Sequence, residues 1–70
     1  MRYLVILEKR ETSYGAYVPD LPGCAAVAET EKEVLQLIHE AIEFHIEGLR
    51  EENRPVPFPH SAVSYVDVPA

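Results

Sequence analysis

The chain has 70 residues, 47% of them apolar, and a formal net charge of -6, which bounds it to one small folded domain and excludes a disordered segment. A domain of this size is marginal alone, and its single cysteine, Cys24, excludes an internal disulfide. The acidic balance disfavours direct binding to nucleic-acid phosphates, and it serves either solubility alone or the attraction of a basic protein partner.

Tyr3-Leu4-Val5-Ile6-Leu7 reads as a first strand. It is apolar at every position, as expected of a central strand covered on both faces. The run is too short for an export signal and is followed by charges. No stretch approaches the ~20 apolar residues of a membrane span. With one free cysteine and no export signal, the reducing cytoplasm is the expected location.

Glu8 to Ser13 is charged and polar and predicts a hairpin connection, and Tyr14 to Val18 a second strand. Gly15 within it suggests a bulge or a close backbone approach. Pro19-Asp20-Leu21-Pro22-Gly23 stops the strand, because each proline removes a backbone donor. Pro22-Gly23 suits the centre of a type II turn, and Asp20 can cap that turn. Cys24 to Ala28 reads as a third short strand.

Thr30-x-x-Glu33 is a capping-box signature ahead of an apolar periodic run. Thr30 is the expected N-cap, with Glu33 returning a bond to its backbone. The helix should run from about Glu31 to about Glu52. One side collects Val34, Leu35, Ile38, Ala41, Ile42, Ile46 and Leu49, widened by Leu37 and Phe44. The opposite side carries Lys32, Gln36, Glu40, Glu43, Glu47 and Arg50. Asn53 is a suitable left-handed stop. Pro55-Val56-Pro57-Phe58-Pro59 is a stiff connector, and Ala62 to Val68 alternates as a last strand.

The fold class predicted is α+β, a two-layer β-β-β-α-β unit filling residues 1–70 as one domain. Three strands form an antiparallel meander. A right-handed crossover through the helix then sets the last strand parallel to the first. This makes a four-stranded mixed sheet with one long helix on one face. The uncovered face predicts a homodimer or higher oligomer, or a partner.

Signs of catalysis are weak. Glu40, Glu43 and Glu47 read as a solvated helix face. Asp20, Glu29 and Asp67 could converge on magnesium, but turn, cap and edge roles explain them as well. His45 falls within the apolar side and reads as a core or interface residue. His39 lies at the margin of the polar face and His60 follows the proline run, and neither has an obvious acid or nucleophile partner in sequence. Cys24, flanked by Gly23, Ala25 and Ala26, reads as a small buried residue rather than a nucleophile. No phosphate-binding, nucleophile-elbow or zinc-protease motif is present, and no cofactor, metal or membrane partner is expected.

The segment Gly15-Ala16-Tyr17-Val18-Pro19-Asp20-Leu21-Pro22-Gly23-Cys24 resembles the signature of the HicB antitoxin family. So do Ala28-Glu29-Thr30-x-x-Glu33, the helix with Glu40-Ala41-Ile42, and Asn53-x-Pro55-Val56-Pro57-x-Pro59. The resemblance spans essentially the whole chain. It implies a partly degraded ribonuclease-H-like fold and a partner, a small basic HicA-type toxin that cleaves mRNA and whose active site is blocked. Typical members add a C-terminal DNA-binding domain, and none is expected within these residues. Under this resemblance Pro19, Asp20, Leu21, Pro22, Gly23 and Cys24, with the exposed sheet face, are the expected contact surface. The competing readings are an orphan self-associating domain and a residual metal-dependent nuclease.

Overall fold

A computed structural model describes residues 1–69. The elements are β1 (Ile6–Lys9), β2 (Tyr14–Tyr17), β3 (Ala25–Ala28) and α1 (Glu31–Glu51). The α+β class and the antiparallel meander are as expected, with sheet order β1-β2-β3. Lys9 pairs with Tyr14 and Ile6 with Tyr17, and Tyr14 in turn pairs with Ala28. The register is unbroken at Gly15, which faces Glu8 and Val27. Gly15 is therefore not a bulge. A Cβ there would lie 2.9 Å from an Arg10 guanidinium nitrogen, so glycine admits a side chain across the sheet.

Two expectations about the sheet are corrected. The first strand is neither residues 3–7 nor central. It begins at Ile6, lies at an edge, and leaves β2 in the middle. The connection Arg10–Ser13, closed by the Arg10 N–H donating to the Ser13 carbonyl at 2.9 Å, fixes which residues can pair. A tight hairpin pairs the residues immediately before it, whatever their polarity. The second correction is at the C-terminus. Residues 62–68 join no strand, so the sheet among the described residues is three-stranded and wholly antiparallel.

The helix forms where its signals place it. Thr30 is extended, and its hydroxyl oxygen accepts from the Glu33 N–H at 3.1 Å. The return bond differs from expectation: the Thr30 hydroxyl donates to the Glu33 carboxylate at 2.9 Å. At the other end Asn53 takes φ 56. The Asn53 N–H donates to Arg50 at 3.1 Å and the Arg54 N–H to Leu49 at 2.8 Å. This double bond pattern is the Schellman stop, with asparagine in the place glycine usually fills.

The helix packs on β2 and β3 and leaves β1 uncovered. Its apolar stripe buries Val34 and Ile38, with Ala41, Ile42 and Ile46 packed beside them. Leu37 and Phe44, placed at the margin of that stripe, stand in solvent, Phe44 at 80% exposure. The core closes with Ala16 from β2 and with Val18, Leu21 and Cys24. Half of the buried core thus comes from the β2–β3 connection and its flanks. Among the described residues no helix is long and apolar enough to cross a membrane.

Candidate partner-binding surface

The Pro19–Gly23 connection is two successive turns. The Leu21 N–H donates to the Val18 carbonyl at 3.1 Å, and the Cys24 N–H to the Leu21 carbonyl at 3.0 Å. Each turn has proline at its second position, where φ is already set. Gly23 takes φ 85, as the type II geometry of Pro22-Gly23 requires. The Val18 N–H closes the loop onto the Cys24 carbonyl at 3.1 Å. The chain is thereby folded so that Leu21 points inward and is fully buried.

Burial divides the six residues expected at a contact surface. Pro19, Pro22 and Gly23 are exposed, whereas Asp20, Leu21 and Cys24 are buried. Burial pushes the Cys24 thiol up, which leaves it a poor nucleophile. His45 is half-buried in a cleft with Pro22, Phe44 and Leu49.

Asp20 does not cap its own turn. Its carboxylate reaches the far end of the chain. It accepts the Ser61 hydroxyl at 2.6 Å, the Ser61 N–H at 2.9 Å and the His60 N–H at 2.9 Å. The His60 Nε2 lies 3.1 Å from the same carboxylate. The Ser61 hydroxyl leads in holding the Asp20 pKa down to about 2, helped by the Ser61 N–H, and burial only partly opposes it. No local spacing signal links residue 20 to residues 60 and 61, so this contact was not foreseeable from the sequence.

Aspartate, histidine and serine meet here, but not as a hydrolytic triad. A nucleophilic serine must hand its proton to a base. Ser61 instead donates to the carboxylate, and His60 approaches that carboxylate rather than the hydroxyl. The cluster is a clamp that fastens the C-terminal segment to the turn. Glu29 and Asp67 do not join Asp20, and among the described residues no group of three potential metal ligands forms. His39 sits in solvent with Glu43 at 3.0 Å.

The sheet face away from the helix follows from the register. Residues opposite one another across strands share a face. Ala16, Tyr14, Ala26 and Ala28 face the helix, so Ile6, Glu8, Gly15, Tyr17, Ala25 and Val27 form the other side. No second layer covers it: Tyr17 is 42% and Val27 56% exposed. Tyr17 and Ala25 stand at the end of the strands that leads into the turn. The exposed turn residues therefore adjoin a face that is apolar at Tyr17, Ala25 and Val27 and is crossed over Gly15 by the Arg10 guanidinium.

A family model described as the HicB-like antitoxin of bacterial toxin-antitoxin systems matches residues 3–70. The chain is 36% identical over 69 residues, 99% of its length, to an uncharacterized 14.9 kDa protein in the rep-hol intergenic region of Haemophilus phage HP1, and spans 52% of that relative. It is 46% identical over 56 residues to a UPF0150 protein of Synechocystis, covering 79% of this chain and 71% of that one. It is 45% identical over 58 residues to a UPF0150 protein of Thermoplasma acidophilum, covering 81% and 84% respectively. This chain belongs to the HicB-like antitoxin family of bacterial toxin-antitoxin systems.

Proposed function

We propose that the chain is an antitoxin that binds a small basic HicA-type toxin and covers its active site, acting by occlusion without turnover of its own. The observation that carries the reading is family membership over residues 3–70. The open sheet face beside the turn supplies the surface. Tyr17, Val27 and Ile6 offer apolar contact there, with Pro19, Pro22 and Gly23 at its border. A half-exposed tyrosine combines a large apolar ring with a polar tip and suits the centre of an interface. Asp20, Leu21 and Cys24 act from beneath by holding the turn in shape. A net charge of -6 steers a basic partner toward the chain.

The meander under one helix is compatible with a partly degraded ribonuclease-H-like fold. In this reading the chain works in the cytoplasm, where mRNA is cleaved. It also self-associates as a homodimer or higher oligomer, because the β1 edge and the Leu37–Phe44 flank of the helix lack cover.

Native mass spectrometry of the chain with the HicA-type toxin candidate from the same genome tests the proposal. The expected result is a stoichiometric complex and loss of the toxin's RNA cleavage. Tyr17→Asp with Val27→Asp should weaken the complex at least about a hundredfold, the loss typical of two central contacts. No complex with that toxin would return the chain to an orphan binding module. An unweakened complex in the double variant would move the contact off the sheet face.

A further inference from the structure

The segment after Ser61 has the pattern of a strand and is not used as one. Ala62, Ser64, Val66 and Val68 alternate with Val63, Tyr65 and Asp67, the period of a pleated strand. None of these residues joins the sheet, and Tyr65 and Val66 stand 91% and 80% exposed. The molecule is correspondingly long, 48 × 27 × 16 Å. Its radius of gyration is 14.0 Å, where a compact chain of this length has about 11 Å.

The same molecule has an unfilled place for a strand. Of the two edge strands, β1 and β3, β1 is the one that the helix does not cover, and Leu7 is exposed on it. Beside it, an open groove of about 470 Å³ separates the N-terminal segment from one flank of the helix, with Val5, Leu35, Ile42 and Ile46 in its walls. The root of the tail is fixed at this end of the sheet. Asp20 holds His60 and Ser61, and Ser61 to Val63 share a cavity with Arg2 to Val5. The chain thus arrives at the entry to β1 and then leaves it.

We propose that two copies exchange these segments, Ala62 to Val68 of each adding as a strand to the free edge of β1 in the other. A spare strand and a vacant edge on the same chain are self-complementary, and reciprocal exchange closes under two-fold symmetry with neither left over. In this arrangement the added strand runs parallel to β1. A register that sets Tyr65 beside Ile6 sets Val66 beside Leu7 and Val68 beside Lys9. The large apolar side chains of one tail expose roughly 500 Å², so two tails with the edges they cover offer at most about 2,000 Å², and burying half of that reaches the roughly 1,000 Å² a specific interface needs. The proposal specifies the self-association described above and is independent of the toxin.

Light scattering on the full chain should give a dimer. Tyr65→Asp with Val66→Pro, which removes a backbone donor and places a charge in the tail, should give a monomer with an unchanged helical circular dichroism signal. A second measurement uses a Cys24→Ala background and two differently tagged chains, one with Leu7→Cys and one with Val66→Cys. Oxidation of the mixture should yield a disulfide between the two tags. A dimer that survives the tail substitutions overturns the exchange while leaving self-association in place. A disulfide that forms only when both cysteines lie in one chain overturns it in favour of a tail docked on its own sheet. A native chain that is monomeric at every concentration overturns both exchange and self-association and leaves the antitoxin reading intact.

Discussion

Ser61 donates both its hydroxyl and its backbone N–H to the carboxylate of Asp20, at 2.6 and 2.9 Å. One carboxylate in a tight turn thereby anchors a segment forty residues downstream that no sheet hydrogen bond holds. An aspartate whose folded pKa is depressed stabilises the fold above its ordinary value of 3.8, and that contribution is lost as pH falls through about 2. The amide of Ser61 should therefore stay protected from hydrogen exchange above about pH 4 and lose protection between 3.8 and about 2. Asp20→Asn should remove this acid transition and raise the rate of limited proteolysis after Pro59 by at least about tenfold, as local opening becomes frequent. An unchanged exchange profile in Asp20→Asn would show that the clamp does not hold the tail.

Leu21→Ala should be the most damaging single change in the turn. Leu21 is fully buried against Val34 and Ile38 in the core cluster. Truncating such a leucine costs about 2–5 kcal/mol, against a total of about 4–10 kcal/mol for a domain of this size. Urea unfolding monitored by circular dichroism should show a large fall in midpoint or loss of the transition.

Gly23→Ala isolates a backbone effect. Nothing lies within 4 Å of a Cβ added there, so no side chain clashes. The cost is that of a φ of 85 for an L-residue, about 1–2 kcal/mol. Gly23→Asn should cost less, because asparagine tolerates the left-handed region better. Equal urea midpoints for the two variants would contradict this account.

Thr30→Ala should lower stability by about 1 kcal/mol, because the Glu33 N–H loses its acceptor. Thr30→Ser should retain most of that stability. Thermal unfolding of the three proteins measures the difference directly.

The features legible in the sequence are those that neighbours in the chain decide. Thr30 and Glu33 mark the helix start, Asn53 its end, and Pro22-Gly23 the turn, because each acts within a few residues of itself. The six-residue block around the turn stood out for the same reason, although three of its members proved to be interior. What was not legible depends on distant partners. Tyr3 to Leu7 has the composition of a central strand, yet Tyr3 instead donates its hydroxyl to the Pro57 carbonyl and Val5 packs on the core from outside the sheet. The hairpin at Arg10–Ser13 outweighs composition in setting where β1 begins. The alternation after Ser61 has the period of a strand, but a period supplies no pairing partner, and residues 62–68 join no strand.

The inward course of the Pro19–Cys24 turn bears on how mutational data from this family should be read. A screen that scores only lost toxin binding would flag Leu21, Asp20 and Cys24 as strongly as any surface residue, because their loss lowers the amount of folded protein. Pairing each binding score with cellular abundance separates the two groups. Leu21 should fail in both, whereas under the proposed contact surface Pro19 and Pro22 substitutions that keep the turn should fail in binding alone.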